Sequence, residues 1–491
     1  MSGQPVPIGT KLAYGFGAVA YGIKDNGFSV FLLLFYNQVI GLPAHEVGLA
    51  ILIALLIDAC IDPLVGALSD RTRTRWGRRH PWLYASALPI ALVWLLLWNP
   101  PDLPVSQQFW YLLGVAVLVR AAVSCYEVPS IALVPEITRD YHERTVVVRY
   151  RFLFGWAAGL VMLALAYGVF LLPDAEYPVG QLNPRGYEKL ALVGSIAMLI
   201  AVLVSALGTH RRLARPVAVS NQPAADHSLR AILGTLNDRP FLILMAAGIF
   251  TFANQGMTFA LSNYLLLYIW EFPQAALIIY AIALFGGVFL AFLAVPRLAG
   301  RLGKKHGAAL TAFLSAIVIT TPYWLRAVGA FPEPGSPWLM PVFLTMIGLA
   351  TMFNVCSMIL TTSMMADVTD AAELRTARRE EGLFFAGYFF VQKCVTGIGI
   401  FLSGTMLALI GFPEGAQPGA VPAGTVDALA LVYGGLTLFI GFCGAWCFLQ
   451  FPFGRNDHED RLRQLSARRE RNARENEGIT LPTALAESDC A

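Results

Sequence analysis

Apolar residues run along this chain in long unbroken stretches separated by short polar intervals. They show neither the strict alternation of a half-buried strand nor the ten-residue alternating segments of a membrane barrel. A helix needs about 20 mostly apolar residues to cross the hydrocarbon core of a bilayer. The pattern predicts twelve such spans, near 11–40, 46–68, 82–99, 107–132, 147–171, 188–209, 240–270, 275–296, 307–326, 338–365, 383–411 and 426–450. The expected fold is an all-α membrane protein with twelve transmembrane helices.

The polar intervals set the orientation. The even-numbered connections are rich in Lys and Arg, whereas the odd ones hold only Arg185, Lys189 and Arg326. By the positive-inside rule the even connections and both termini face the cytoplasm. The first ten residues, MSGQPVPIGT, lack a basic stretch followed by an apolar one, so no cleaved signal is expected. The longest polar interval divides the spans six and six: an N-terminal half over 1–209, a linker over 210–238, a C-terminal half over 239–451 and a charged cytoplasmic tail over 452–491.

A weak repeat supports two pseudo-symmetric six-helix halves. Pro63 and Pro296 each precede a basic loop, and Glu136-Ile-Thr after span 4 matches Asp367-Val-Thr after span 10. Duplicated halves place a solute site near the bilayer midplane between them.

Composition agrees with a lipid-facing surface: 56% of the 491 residues are hydrophobic and 14% charged. A formal charge of +3 with no basic stripe argues against nucleic acid as a partner. The partners to expect are the bilayer, a small solute and a monovalent cation, with a monomer sufficient for function. Of seven cysteines, Cys60, Cys125, Cys356, Cys394, Cys443 and Cys447 lie in apolar segments and Cys490 in the tail, and none has CxxC spacing. They read as small core residues, neither a disulfide framework nor a metal site. The histidines fall in loops and the tail, and no GxSxG, HExxH or P-loop is present. No enzyme, cofactor or nucleotide-driven pump is expected, so work must come from an ion gradient or the solute's own gradient.

Charges inside the spans point to chemistry, because each costs roughly 2.5–3.5 kcal/mol to insert. Asp58 and Asp62 are four residues apart in span 2 and share a helix face. Two close carboxylates repel unless a cation, a shared proton or a basic side chain sits with them. Lys393, deep in span 11, is positioned to pair with them when no cation is bound and so to link the halves. Arg120 and Glu127 share a face of span 4, with Arg151 soon after in span 5. These three suit hydroxyls or a charged head group, or else an ion pair that holds helices together. Lys24, Asp25, Asn254, Gln255, Asn354 and Gln392 are further cavity candidates.

Four stretches carry a family likeness: KLAYGFG in span 1, DACIDPLVGALSDRTRTRWGRRHPW through span 2 and its loop, EVPSIALVPEITRDYHERT after span 4, and MADVTDAAELRTARREEGLFFAGYFFVQK into span 11. Over almost its whole length the chain resembles the glycoside-pentoside-hexuronide:cation symporters of the major facilitator superfamily. The resemblance implies a cation site at Asp58 and Asp62 with Ser124 beside it and Lys393 near. It implies that Glu127 and Arg151 bind solute. It also implies a cytoplasmic gate of charges from Asp70, Arg71, Arg144, Asp367, Arg379 and Glu381.

The departures bear on the solute. The family's sugar-binding acid of helix 1 falls on Gly22, with Asp25 almost a turn later, and its stacking tryptophans fall on Ile131 and Met358. A sodium-assisting asparagine falls on Ile61, which favours H⁺ over Na⁺ as the coupling ion. The expected function is a cation-coupled symporter of the inner membrane that imports a sugar or glycoside by alternating access. A lysophospholipid or other amphipathic solute is the alternative, and a non-transporting membrane sensor the remaining one.

Overall fold

The computed structural model describes residues 6–138, 141–213, 237–376 and 381–453. Long helices make up the described chain, apart from short connections and one isolated bridge between Thr74 and Gly77. Helix α1 runs over Ile8–Val39, α2 over Ala44–Arg71, α3 over His80–Trp98, α4 over Val105–Ile131, α5 over Tyr141–Leu165 and α6 over Pro184–Leu213. A second set follows: α7 over Arg239–Tyr264, α8 over 274–302, α9 over 304–327, α10 over Leu339–Thr376, α11 over Glu381–Leu409 and α12 over Ala423–Leu449.

Helices α8 and α9 are two arms of one helical stretch, Gln274–Ala327, broken at Gly303, where φ is 74° and ψ 168°. An unbroken helix of 54 residues would span about 81 Å, far beyond the ~30 Å of hydrocarbon it has to cross. The break falls in the basic run Arg301, Lys304, Lys305, so each arm is left long enough for one crossing.

The repeat is written in backbone geometry as well as in sequence. Helix α1 ends in a π-helical turn over Phe35–Val39, then a left-handed Gly41 (φ 86°), then Pro43 capping α2. Each feature recurs 230 residues on: a π-helical turn over Leu265–Ile269, a left-handed Glu271 (φ 47°), and Pro273 capping α8. Even the closing hydrogen bond repeats, with Leu42 N–H donating to the Tyr36 carbonyl at 2.9 Å and Phe272 N–H to that of Leu266 at 3.1 Å.

Large apolar side chains such as Trp110, Leu207, Phe289, Phe439 and Trp446 are exposed around the perimeter, where acyl chains cover them in a bilayer. The two sets of helices meet through buried polar contacts at the end carrying the odd-numbered connections. Asn263 Nδ2 donates to the Val30 carbonyl (2.9 Å), Tyr167 OH to Asn263 Oδ1 (2.8 Å) and Tyr264 OH to Asn37 Oδ1 (2.7 Å). Gln274 Nε2 donates to the carbonyls of Leu171 (2.9 Å) and Tyr167, and Gln38 takes the Ala416 N–H (2.9 Å). That end is sealed.

Two expectations are corrected. His80 is the first residue of α3 and is buried, its ring 3.1 Å from Thr209 Oγ1, while Tyr84 OH lies 3.0 Å from His210 Nδ1 near the end of α6. These histidines tie α3 to α6 rather than sitting in loops. Among the six cysteines of the described residues only Cys356 is buried and Cys60 is exposed, because helices in lipid turn apolar side chains outward as readily as inward.

Candidate functional site

The helix period brings the charged side chains together near the middle of the bundle. Asp58 and Asp62, one turn apart on α2, face Arg120 and Ser124, one turn apart on α4, and Lys393 reaches them from α11. Asp58 is 2% exposed. Its Oδ2 accepts from Arg120 Nε at 2.9 Å and from Lys393 Nζ at 3.0 Å. Lys393 Nζ also lies 2.5 Å from Asp62 Oδ2. Ser124 Oγ stands between the carboxylates, 2.8 Å from Asp58 Oδ1 and 2.7 Å from Asp62 Oδ1.

Arg120, read from sequence either as part of a solute site with Glu127 or as one side of an ion pair between helices, has its guanidinium buried against Asp58 and 5.1 Å from the Phe28 ring centroid. Glu127, two turns along α4, turns to α5 and accepts from Arg151 Nη2 at 3.2 Å, while Arg151 Nη1 donates to Ser130 Oγ at 3.0 Å. Lys24 of α1 is buried with Nζ 4.4 Å from the Tyr21 ring centroid, close to both groups of charges.

Other candidates line up less closely. Asp25, Asn254, Gln392 and Met358 are half-buried, and Ile131 is exposed at the end of α4. Asn254 Oδ1 is buried without a hydrogen-bond partner among the described residues. Gly22, which takes the place of the family's acid, is pressed against α5: a Cβ built there would lie 2.1 Å from the Gly155 carbonyl oxygen. No side chain fits at that position, so an acid on α1 has to sit elsewhere on the helix, as Asp25 does.

The predicted gate residues divide between the halves. Asp367 pairs with Lys304 (2.6 Å), Asp70 pairs with Arg79, and Arg144 Nε donates to the Thr138 carbonyl at 3.0 Å. Arg71 is exposed at the end of α2. Arg379 lies outside the described residues, as does the side chain of Glu381. Glu136, the repeat mate of Asp367, pairs with Arg78 at 2.8 Å. In the first half, then, the acid just after α4 holds a base from the loop between α2 and α3, and in the second an acid near the end of α10 holds Lys304, the first residue of α9. Neither Lys304 nor Arg79 was singled out by sequence, although the recurring acid and basic loop carried the signal.

The model of the family described as MFS/sugar transport protein matches residues 13–455. The putative glycoside/cation symporter YagG of Escherichia coli (strain K12) is 28% identical, with 82% of this chain and 83% of that protein aligned. The sodium-dependent lysophosphatidylcholine symporter 1-A of Danio rerio is 23% identical over 94% of this chain and 89% of its own. Among solved structures, a bacterial homolog of the human lysosomal transporter Spinster, in an inward-facing and unoccupied conformation, superposes with a TM-score of 0.62 at 13% identity, covering 91% of this chain and 98% of its own. That last likeness establishes the fold alone. With the helical architecture and the family match together, the chain belongs to the glycoside-pentoside-hexuronide:cation symporter family of the major facilitator superfamily, as a multi-pass transporter of the cell membrane.

Proposed function

We propose that the protein is a symporter and not an enzyme, moving a sugar or glycoside inward across a bacterial inner membrane on the gradient of H⁺ or Na⁺. The observation that carries this reading is the cluster of Asp58, Asp62 and Lys393, which joins α2 of one half to α11 of the other at 2.5 and 3.0 Å. A cation arriving at the aspartates competes with Lys393 for them, so occupancy alters the tie between the halves 1–209 and 239–451. Glu127 and Arg151 supply a carboxylate and a fork of N–H donors for solute hydroxyls, with Asp25, Asn254 and Gln392 near. The linker over 210–238 joins halves that rock about the site, and the cytoplasmic charges at Asp70, Arg144, Asp367, Arg379 and Glu381 meet when the inner side closes.

The positive-inside count puts the sealed end outside. One relative is named a putative glycoside/cation symporter and another an isoprimeverose transporter, which supports a glycoside as solute and, from the first, a coupling cation. Ile131 and Met358, apolar where the family's sugar carriers stack tryptophan, favour a lysolipid as the second reading, and a relative is named for that cargo too. Uptake of labelled glycosides and of a short-chain lysolipid into proteoliposomes, with imposed H⁺ or Na⁺ gradients, separates the two. In Asp62→Asn, uphill accumulation is expected to vanish while exchange of solute down its gradient continues. Accumulation that survives in this variant refutes the coupling role.

A further inference from the structure

We infer that Arg120 is a tethered cation standing where an alkali ion would bind Asp58, so that the site exchanges a single proton, carried on Asp62 and shared through Ser124, and takes no sodium. The inference rests on the symport reading and names its ion.

Two observations carry it. The first is the occupancy of the carboxylate oxygens. Asp58 Oδ2 already meets two cationic nitrogens, Arg120 Nε at 2.9 Å and Lys393 Nζ at 3.0 Å, while Asp62 Oδ2 meets Lys393 Nζ. A desolvated alkali ion needs several oxygens in place of its water. Arginine never loses its proton in a protein, and both partners here are buried, Arg120 at 5% and Asp58 at 2% exposure. Lys393 can move off; the guanidinium stays and repels a second cation at Asp58.

The second is the count of hydrogens at Ser124. Its Oγ lies within 2.8 Å of one carboxylate oxygen on each aspartate, yet a hydroxyl has one hydrogen to give. With both carboxylates ionised, one of these contacts would set two electron-rich oxygens against each other. Both become hydrogen bonds when one carboxyl is protonated and donates to Oγ while Oγ donates to the other. Asp58, held by Arg120, is the ionised partner. Asp62, at 29% side-chain exposure against 2% for Asp58, is the one that water reaches.

The charged groups that face Asp62 directly are Asp58 on its own helix and Lys393 on α11; Arg120 and Glu127 on α4 face Lys393, and Lys24 and Asp25 on α1 and Arg151 on α5 face those groups in turn. Loading is then a plain proton transfer: a hydronium in the cavity gives its proton to Asp62 Oδ1 and leaves as water. Lys393 keeps Asp58 but loses the charged half of its hold on Asp62, which loosens the contact between α2 and α11.

Two arms test this on the purified full-length protein without any solute. In calorimetric titration with sodium chloride against choline chloride, the wild type is expected to give no saturable sodium signal. Arg120→Ala is expected to gain one, and Arg120→Ala with Asp58→Asn to lose it again. A saturable signal in the wild type overturns the inference, as does a folded Arg120→Ala that binds none. In infrared difference spectra across a pH titration, subtracting the Asp62→Asn spectra from those of the wild type is expected to leave the carbonyl band of one protonated carboxyl, and subtracting those of Asp58→Asn is expected to leave none. In Ser124→Ala, which keeps every charge, the band should move to the frequency of a carboxyl that donates no hydrogen bond. A band lost with Asp58 instead of Asp62, or unmoved without Ser124, overturns the inference even if Arg120 variants fail to fold. Sodium binding in a protein that accumulates solute would sink this inference alone. The expected ion results in a protein that accumulates nothing would sink the symport reading alone.

Discussion

Asn263 is the residue through which the sealed end can be unlocked. Its side chain donates to the Val30 carbonyl at 2.9 Å and accepts from Tyr167 OH at 2.8 Å, so one amide of α7 holds both α1 and the end of α5. Asn263→Ala removes two hydrogen bonds and strands the two partners in a buried site. Stranded buried groups cost about 1–3 kcal/mol each in water-soluble proteins, while hydrogen bonds between membrane helices average about 0.6 kcal/mol. A loss of about 1–3 kcal/mol for the sealed state follows, equivalent to a rise of roughly 5- to 150-fold in the ratio of opened to sealed molecules. The readout is the distance between spin labels at Val105 and Val328, which are exposed on the two halves at that end. A longer component should appear or grow in Asn263→Ala and be smaller in the parent. Distance distributions that coincide would refute the idea that these hydrogen bonds hold the end shut.

Other outcomes follow from single contacts. Arg151→Ala removes the partner of Glu127 and should weaken solute binding at least tenfold, by calorimetry, while leaving the infrared response of Asp62 in place; unchanged solute affinity takes Arg151 out of the site. Gly22→Val forces a Cβ to 2.1 Å from the Gly155 carbonyl and should lower the detergent-solubilised melting temperature by several degrees or block folding, whereas Gly9→Ala, with nothing within 4 Å, should not. Glu271→Gly relieves a left-handed backbone that its repeat mate Gly41 adopts freely, with a gain of about 0.5–1 kcal/mol read as a higher melting temperature; no change or a fall would show that the Glu271 conformation is not strained.

Much of the fold was legible because lipid imposes a crude and strict rule: spans about 20 residues long with basic loops between them. The charges that matter stood out for the same reason, since Asp58, Asp62 and Lys393 have no business in an apolar run unless they meet one another. The partner of Arg120 was not legible. Whether an arginine on α4 turns to Glu127 on its own helix or to Asp58 on α2 depends on the rotation of two helices that no spacing within either reveals. The role of the histidines was hidden as well, because His80 and His210 lie far apart in sequence and meet only through the packing of α3 on α6. The backbone repeat around Gly41 and Glu271 went unseen because different residues adopt the same unusual conformation.

The balance of charge at the centre bears on how the membrane voltage acts on the cycle. Asp25, Asp58, Asp62 and Glu127 are matched one for one by Lys24, Arg120, Arg151 and Lys393. With all eight ionised, the cluster has no net charge for the field to drag as the halves reorient. A proton on Asp62 adds one positive charge, worth about 2.3 kcal/mol for each 100 mV it traverses. An interior-negative potential would then favour inward reorientation of the loaded form and leave the return of the unloaded one indifferent to voltage, so that the direction of transport is written into an even count of side chains.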